Sequence, residues 1–163
     1  MQKLQPTYRE RLAPSLWLLV SAAVLAPMAS LVLVPLDPTL SLAGGVIVGV
    51  AAVCGAIWLA PRIEVRGTTL RAGRAHIDAS WLGTPSPLSG DDARHARGPG
   101  QDARAWNLIR GGIDGLVIVP VEDTDDPVSA WVVSSRTPDR LAAAIERARY
   151  AAQSLQTKPI ESS

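Results

Sequence analysis

Two long apolar runs, separated by only three residues, occupy the N-terminal third of the chain. They span residues 16–36 and 40–60, and Asp37 is the only formal charge between residues 12 and 61. Because a helix rises about 1.5 Å per residue, roughly twenty apolar residues cross a hydrocarbon core of about 30 Å. Inside hydrocarbon, such a run must satisfy its backbone hydrogen bonds within a helix. The pattern therefore predicts two transmembrane helices.

The connection between the runs predicts how the two helices are arranged. Residues 37–39 are too few to cross the membrane again, and Asp-Pro is typical of a turn, so we expect an antiparallel hairpin. Trp17 and Trp58 then lie near the same membrane face, where indole rings favour the headgroup zone. A cleaved signal peptide and a buried soluble hairpin are the alternatives. Pro27 disfavours cleavage after Ala26, and the remaining chain has little apolar sequence to cover two such helices.

Basic residues flank both ends of the hairpin. They are Lys3, Arg9, Arg11, Arg62, Arg66, Arg71 and Arg74. Basic residues close to membrane spans remain in the cytoplasm. We therefore expect a multi-pass protein of the cell (inner) membrane, with the lipid bilayer as partner and both termini in the cytoplasm.

Gly45 and Gly49 form a GxxxG motif in the second run, which allows helix backbones to approach closely. We favour packing of these glycines within the hairpin over homodimerisation, because sequences rich in Ala and Gly generate this spacing readily. Neither run carries an ionisable residue at its centre, which disfavours a transporter.

Beyond Pro61 the apolar spacing changes to two. Ile63 and Val65 alternate with charged residues, which predicts a strand over residues 62–66. The same reasoning predicts strands over residues 69–72, 75–82, 105–109, 116–121 and 130–134. Residues 83–100 are rich in Gly, Pro, Asp and Ser and predict a long polar loop.

The last predicted element is an amphipathic helix over residues 138–155. Thr137 suits the N-cap, Pro138 the first helical position and Asp139 the positive end of the helix dipole. One face carries its apolar residues, which are Leu141, Ile145, Ala148, Ala152 and Leu155. We expect this face to pack on the sheet.

These elements predict an α+β membrane protein. It consists of a cytoplasmic lead-in (1–15), a two-helix transmembrane hairpin (16–60), a cytosolic β-rich domain with its C-terminal helix (61–155) and a flexible tail (156–163). Short antiparallel strands closed by a C-terminal helix also match the outline of a pleckstrin-homology-like barrel. A generic α+β domain is the alternative.

Charge and cysteine content argue against some classes of function and site. The formal net charge is +1, and beyond residue 61 thirteen basic residues balance thirteen acidic ones, which disfavours a nucleic-acid partner. The single cysteine, Cys54, lies in the second apolar run, so the chain has neither an internal disulfide nor a cysteine-based zinc site.

Few residues suggest a catalytic or metal-binding role. Residues 122–126 hold four carboxylates that could bind Ca²⁺ or Mg²⁺, but we favour a solvated turn. Asp91, Asp92 and His95 lie in the predicted loop, where nothing fixes them, and Ser134 and Ser135 lack a nucleophile elbow. We expect no catalytic residue, no cofactor, no metal and therefore no enzyme.

Arg136 lies between the last strand and the last helix. We favour an ion pair with an acid of the 122–126 turn, which would fasten the helix to the sheet. The alternative is that Arg136, together with Arg62 and Arg66, contacts an anionic headgroup or a partner at the membrane surface.

Two segments resemble a known group of proteins. Residues 8–12 (Tyr-Arg-Glu-Arg-Leu) precede a Trp-bearing span, and residues 126–141 contain Ala-Trp-Val-Val-Ser-Ser-Arg-Thr-Pro-Asp. Both resemble an uncharacterised actinobacterial family of two-span membrane proteins, labelled a domain of unknown function. The resemblance implies architecture and a membrane address. We therefore predict a membrane-anchored, non-enzymatic binding or scaffolding module with a protein partner at the cytosolic membrane face. The alternative is an accessory subunit that docks into a larger integral membrane complex through its helices.

Overall fold

The computed structural model describes residues 7–35 and 37–156 and divides the chain into two compact units. Residues 13–60 form one, here called the hairpin unit. Residues 7–12 and 61–156 belong to the other, here called the α/β unit. The hairpin unit is thus an insertion in the chain of the α/β unit.

The hairpin unit consists of α1 (Leu16–Leu33) and α2 (Pro38–Trp58). Both helices are long and apolar enough to span a membrane. The prediction of two apolar helices is confirmed, but residues 37–39 are not a free turn. Asp37 is the N-cap of α2, and its carboxylate accepts the main-chain N–H groups of Thr39 at 2.7 Å and Leu40 at 3.0 Å. Pro38 therefore starts the second helix, as proline favours at the first helical position.

The small residues of α2 face α1. Ser41, Gly45 and Gly49 are the buried residues of α2. A Cβ atom on Gly45 would lie 2.6 Å from the carbonyl oxygen of Ala26, and one on Gly49 would lie 2.8 Å from the Ala26 Cβ. The glycines therefore let the two helices of one hairpin approach each other. Homodimerisation through this motif stays a prediction.

The first sheet of the α/β unit joins strands from both sides of the hairpin. It contains β1 (Tyr8–Arg11), β2 (Arg62–Arg66), β3 (Thr69–Ala72) and β4 (Ala75–Asp78), antiparallel and in chain order. β1 pairs with β2, with Tyr8 opposite Val65 and Arg11 opposite Arg62. Residues 8–11 were predicted to belong to the polar lead-in of residues 1–15. Four residues with two arginines and a glutamate carry too little apolar alternation to indicate a strand.

The second sheet has the order β5-β7-β8-β6. Its strands are β5 (Ser86–Leu88), β6 (Trp106–Leu108), β7 (Leu116–Pro120) and β8 (Ala130–Ser134). β6 runs parallel to β8, whereas the other pairs are antiparallel. Among the described residues no barrel closes, because the strands divide into two sheets. The α+β class is confirmed, and the expected pleckstrin-homology-like barrel is not formed.

Residues 83–100 were predicted to be a long polar loop, and this is wrong. They contain β5 and a two-turn helix, α3 (Gly90–Arg97). Ala93 and Ala96, three residues apart on one face of α3, are buried and pack in a cluster with Leu116 and Val132 of the second sheet. Two small apolar residues among charged ones are too weak a pattern to indicate a helix from sequence.

The core of the α/β unit lies between the inner face of the first sheet, the second sheet and α4 (Pro138–Gln156). α4 begins at the predicted residue. Of its predicted apolar face, Leu141, Ile145, Ala148 and Ala152 are buried, but Leu155 is 70% exposed. The helix therefore leaves the core before its last turn.

Candidate functional site

Strand alternation gives the first sheet an apolar face and a basic face. Ile63 and Val65 of β2 point inward and are fully buried. The intervening residues point outward, and pairing aligns Arg9, Glu64 and Arg71 across three strands. The exposed arginines of this outer face and its β3–β4 turn are Arg9, Arg11, Arg62, Arg66, Arg71 and Arg74.

Glu64 organises the middle of this basic face. Its carboxylate pairs with Arg9 Nε at 3.0 Å and with Arg66 Nη2 at 2.9 Å, and its side chain is only 12% exposed. A cavity of about 520 Å³ lies on the same face, with Arg71, Arg74 and His76 in its lining. The face therefore keeps a strong excess of positive charge around one paired carboxylate.

The end of the first sheet that connects to the hairpin unit is rich in arginine. Arg11 and Arg62 lie opposite each other there, as the last residue of β1 and the first of β2. The next pair is joined by a hydrogen bond of 3.0 Å from the Leu12 N–H to the Pro61 carbonyl. The Gly73 N–H donates to the Arg62 carbonyl at 2.7 Å, which brings the turn containing Arg74 to the same end.

Arg136 lies at this end as well. Its Nη1 donates to the Arg11 carbonyl at 3.5 Å, and its main-chain N–H donates to Glu10 Oε1 at 2.8 Å. The expected ion pair with the 122–126 turn is wrong, because that turn precedes β8 and Arg136 follows it. Five strand residues, or about 16 Å, separate the two positions. We call Arg11, Arg62, Arg74 and Arg136 the arginine rim.

The three predicted contact residues do not all lie together in the structure. Arg62 and Arg136 belong to the arginine rim. Arg66 lies at the other end of β2, about 13 Å further along the strand, and is paired with Glu64.

A hydrogen-bond network locks β1 to the junction between β8 and α4. Glu10 Oε2 accepts from Tyr8 Oη at 2.7 Å and from Ser135 Oγ at 2.6 Å, and Thr137 Oγ1 lies 2.9 Å from Tyr8 Oη. Ser135 is fully buried. Burial, and then the hydrogen bond to Glu10, raise the pKa of Tyr8, so its hydroxyl remains protonated. The network missed by sequence reasoning joins residues about 125 positions apart.

The other candidates have local structural roles. In the acidic turn, Asp123 accepts the Asp125 N–H at 3.0 Å and Asp126 accepts the Val128 N–H at 2.8 Å. Asp91 pairs with Arg94 within α3 at 2.8 Å. Within residues 7–35 and 37–156, no group of three or more His, Cys, Asp or Glu side chains is arranged to hold a metal ion.

The fold and the rim define a class: an α+β protein with an apolar two-helix hairpin inserted between two paired strands. The chain belongs to the family described as "Protein of unknown function (DUF3093)", whose model matches residues 7–145. The match starts before β1 and ends within α4, so it includes both units. The predicted membership of a domain of unknown function is confirmed. No curated protein and no solved structure matches the chain.

Proposed function

We propose that this protein is a membrane-anchored, non-enzymatic binding module whose arginine rim contacts anionic lipid headgroups. In this proposal the hairpin unit crosses the cell (inner) membrane and both termini lie in the cytoplasm. The observation that carries the proposal is that both connections to the hairpin unit leave the first sheet at the end where the four rim arginines lie.

The exposed surface of the hairpin unit is apolar, which favours its placement in lipid over water. Trp17, Val32 and Trp58 are 81%, 77% and 88% exposed, and apolar side chains cover both helices. A contiguous apolar surface of this extent is uncommon on a protein that is dissolved in water. The lengths of α1 and α2, 18 and 21 residues, correspond to about 27 and 32 Å, close to the thickness of a hydrocarbon core.

Short connections favour rim contact with the membrane surface. Arg11 precedes Leu16 by five residues, and Arg62 follows Trp58 by four. Even fully extended, these segments span only about 18 and 14 Å. A basic residue this close to an anionic surface contributes about 1 kcal/mol of attraction. Four arginines at one end would therefore restrain the α/β unit at the membrane.

A module held this way would act by proximity. A partner that also lies at the cytoplasmic face gains effective concentration without forming a larger interface. The non-enzymatic part of the proposal is supported by Glu10 and Ser135 beside the rim, because the hydrogen bonds of these two residues join β1 to the rest of the unit.

The proposal is tested by hydrogen–deuterium exchange of the full-length protein in nanodiscs. Phosphatidylcholine discs are compared with discs that also contain phosphatidylglycerol. We expect slower exchange of residues 72–75 in the anionic discs. The double variant Arg62→Gln/Arg74→Gln should abolish this difference.

The matched control is Arg66→Gln/Arg71→Gln, which removes the same charge from the same face away from the rim. It should retain most of the lipid dependence. Equal exchange in both lipids, or an equal loss in both double variants, would refute rim-specific headgroup contact.

One observation favours the alternative of an accessory subunit. The hairpin surface has an apolar concavity of about 370 Å³, and its lining includes Ala23, Gly49, Val53 and Cys54. Such a surface could receive a helix of a larger integral membrane complex. Chemical crosslinking in native membranes separates the two proposals. Integral partners favour the subunit, and soluble partners favour the module.

A further inference from the structure

A second basic surface lies on the other side of β1, away from β2. It is a groove of about 480 Å³ between β1 and the first three turns of α4. The β1 side includes Tyr8, Arg9 and Glu10. The α4 side includes Arg140, Ala143 and Arg147, at spacings of three and four that keep them on one helix face. We call this surface the β1–α4 groove.

The β1 wall of this groove is the edge of a sheet. In an antiparallel pair, alternate residues direct their main-chain groups at the partner strand. The bond from the Leu12 N–H to the Pro61 carbonyl assigns this role to the even-numbered residues of β1. The N–H and C=O groups of Arg9 therefore point away from β2, along the edge that borders the groove. Groups in this position can pair with a further strand.

The charge of the groove indicates what kind of added strand would bind there. Two arginines of α4, Arg140 and Arg147, line the groove together with a single carboxylate, Glu10, whereas the Arg9 guanidinium lies on the outer face and pairs with Glu64. Both oxygens of the Glu10 carboxylate already accept hydrogen bonds within the α/β unit. Arg140 and Arg147 are exposed on α4 and lie about 10 Å apart along the helix axis. The groove therefore suits a ligand that carries several separated carboxylates.

We infer that the β1–α4 groove binds an extended acidic segment of a partner protein, which adds as a strand to the edge of β1. Main-chain hydrogen bonds to Arg9 would supply affinity, and carboxylates that meet Arg140 and Arg147 would supply specificity. The Arg11 carbonyl already accepts from Arg136 Nη1, so the segment pairs with β1 around Arg9. Acidic side chains at every second position would point to the same side of the added strand. None of these residues belongs to the arginine rim, so the inference does not require lipid contact.

The test uses full-length protein in phosphatidylcholine nanodiscs and a fluorescent octapeptide of alternating Glu and Thr. Fluorescence anisotropy should show saturable binding, and Arg140→Gln/Arg147→Gln should weaken it at least tenfold. The control Arg71→Gln lies on the opposite face of the sheet and should change binding less than twofold. An unchanged near-ultraviolet circular dichroism spectrum shows that the variants are folded.

A second peptide distinguishes strand addition from simple charge attraction. An octapeptide of alternating Glu and Pro has the same charge but fewer main-chain donors, and we expect it to bind at least tenfold more weakly. Equal binding of the two peptides would overturn strand addition in favour of a general anion site. Binding that is insensitive to the Arg140/Arg147 double variant, or no binding of either peptide, would also overturn the inference.

Discussion

Replacing Glu10 with alanine should destabilise the α/β unit far more than removing an ordinary surface carboxylate. Glu10 accepts hydrogen bonds from the Tyr8 hydroxyl, the Ser135 hydroxyl and the Arg136 main-chain N–H, at 2.6 to 2.8 Å. Each hydrogen bond to a charged group contributes roughly 1.5–3 kcal/mol, but losses within one network do not add. The Tyr8 hydroxyl has other partners, Thr137 Oγ1 at 2.9 Å and Ser135 Oγ at 3.2 Å. We therefore expect a loss of about 2–4 kcal/mol.

Urea unfolding of the full-length protein in detergent measures this loss. Near-ultraviolet circular dichroism is a suitable signal, because the rings of Trp106 and Trp131 lie 4.4 Å apart in the α/β unit. The control is Asp91→Ala, which breaks an exposed ion pair to Arg94 and should cost less than about 0.5 kcal/mol. A Glu10→Ala loss as small as that of the control would refute the view that this network locks β1 in place.

Three further substitutions test the core, the hairpin and a cap. Leu141→Ala should cost about 2–5 kcal/mol in the same unfolding assay, because its side chain is fully buried, whereas exposed Leu155→Ala should cost less than about 0.5. Gly45→Val should lower the thermal midpoint of the detergent-solubilised protein, because its Cβ would meet α1, and Gly55→Val should not, because its position is open. Asp78 accepts the Ser80 main-chain N–H at 2.9 Å, and this hydrogen bond lowers the pKa of its carboxyl below the ordinary 3.8. Asp78→Asn removes the negative charge of this acceptor. Its stabilising effect should therefore be full above about pH 4 and disappear as the pH falls further. A pH-independent difference, or equal effects of either matched pair, would contradict these predictions.

The sequence predicted those parts of the fold that a local pattern determines. Twenty-residue apolar runs indicated both helices of the hairpin, and the Thr-Pro-Asp start of α4 indicated its first residue. β1 and α3 were missed because each is short and polar, and their stability comes from partners distant in the chain. Arg62 was proposed as a contact residue from its place beside the hairpin. That Arg66 lies at the other end of the strand follows only from the pairing of β1 with β2.

β1 precedes the hairpin unit in the chain but pairs with β2, which follows it. A fragment that begins at Arg62 would lack the edge strand of the first sheet, together with Tyr8 and Glu10 of the network. Buried Ile63 and Val65 would lose their neighbouring strand. Experiments on the α/β unit should therefore use the full chain.

The orientation of the whole protein in its membrane tests the account most directly. Inverted and right-side-out membrane vesicles that contain the full-length protein are washed with alkaline carbonate and then treated with trypsin. We predict that the protein stays in the membrane pellet and that the α/β unit is cleaved only in inverted vesicles, in which the cytoplasmic face is outside. Release by carbonate, or cleavage only in right-side-out vesicles, would contradict the membrane-anchored cytoplasmic module.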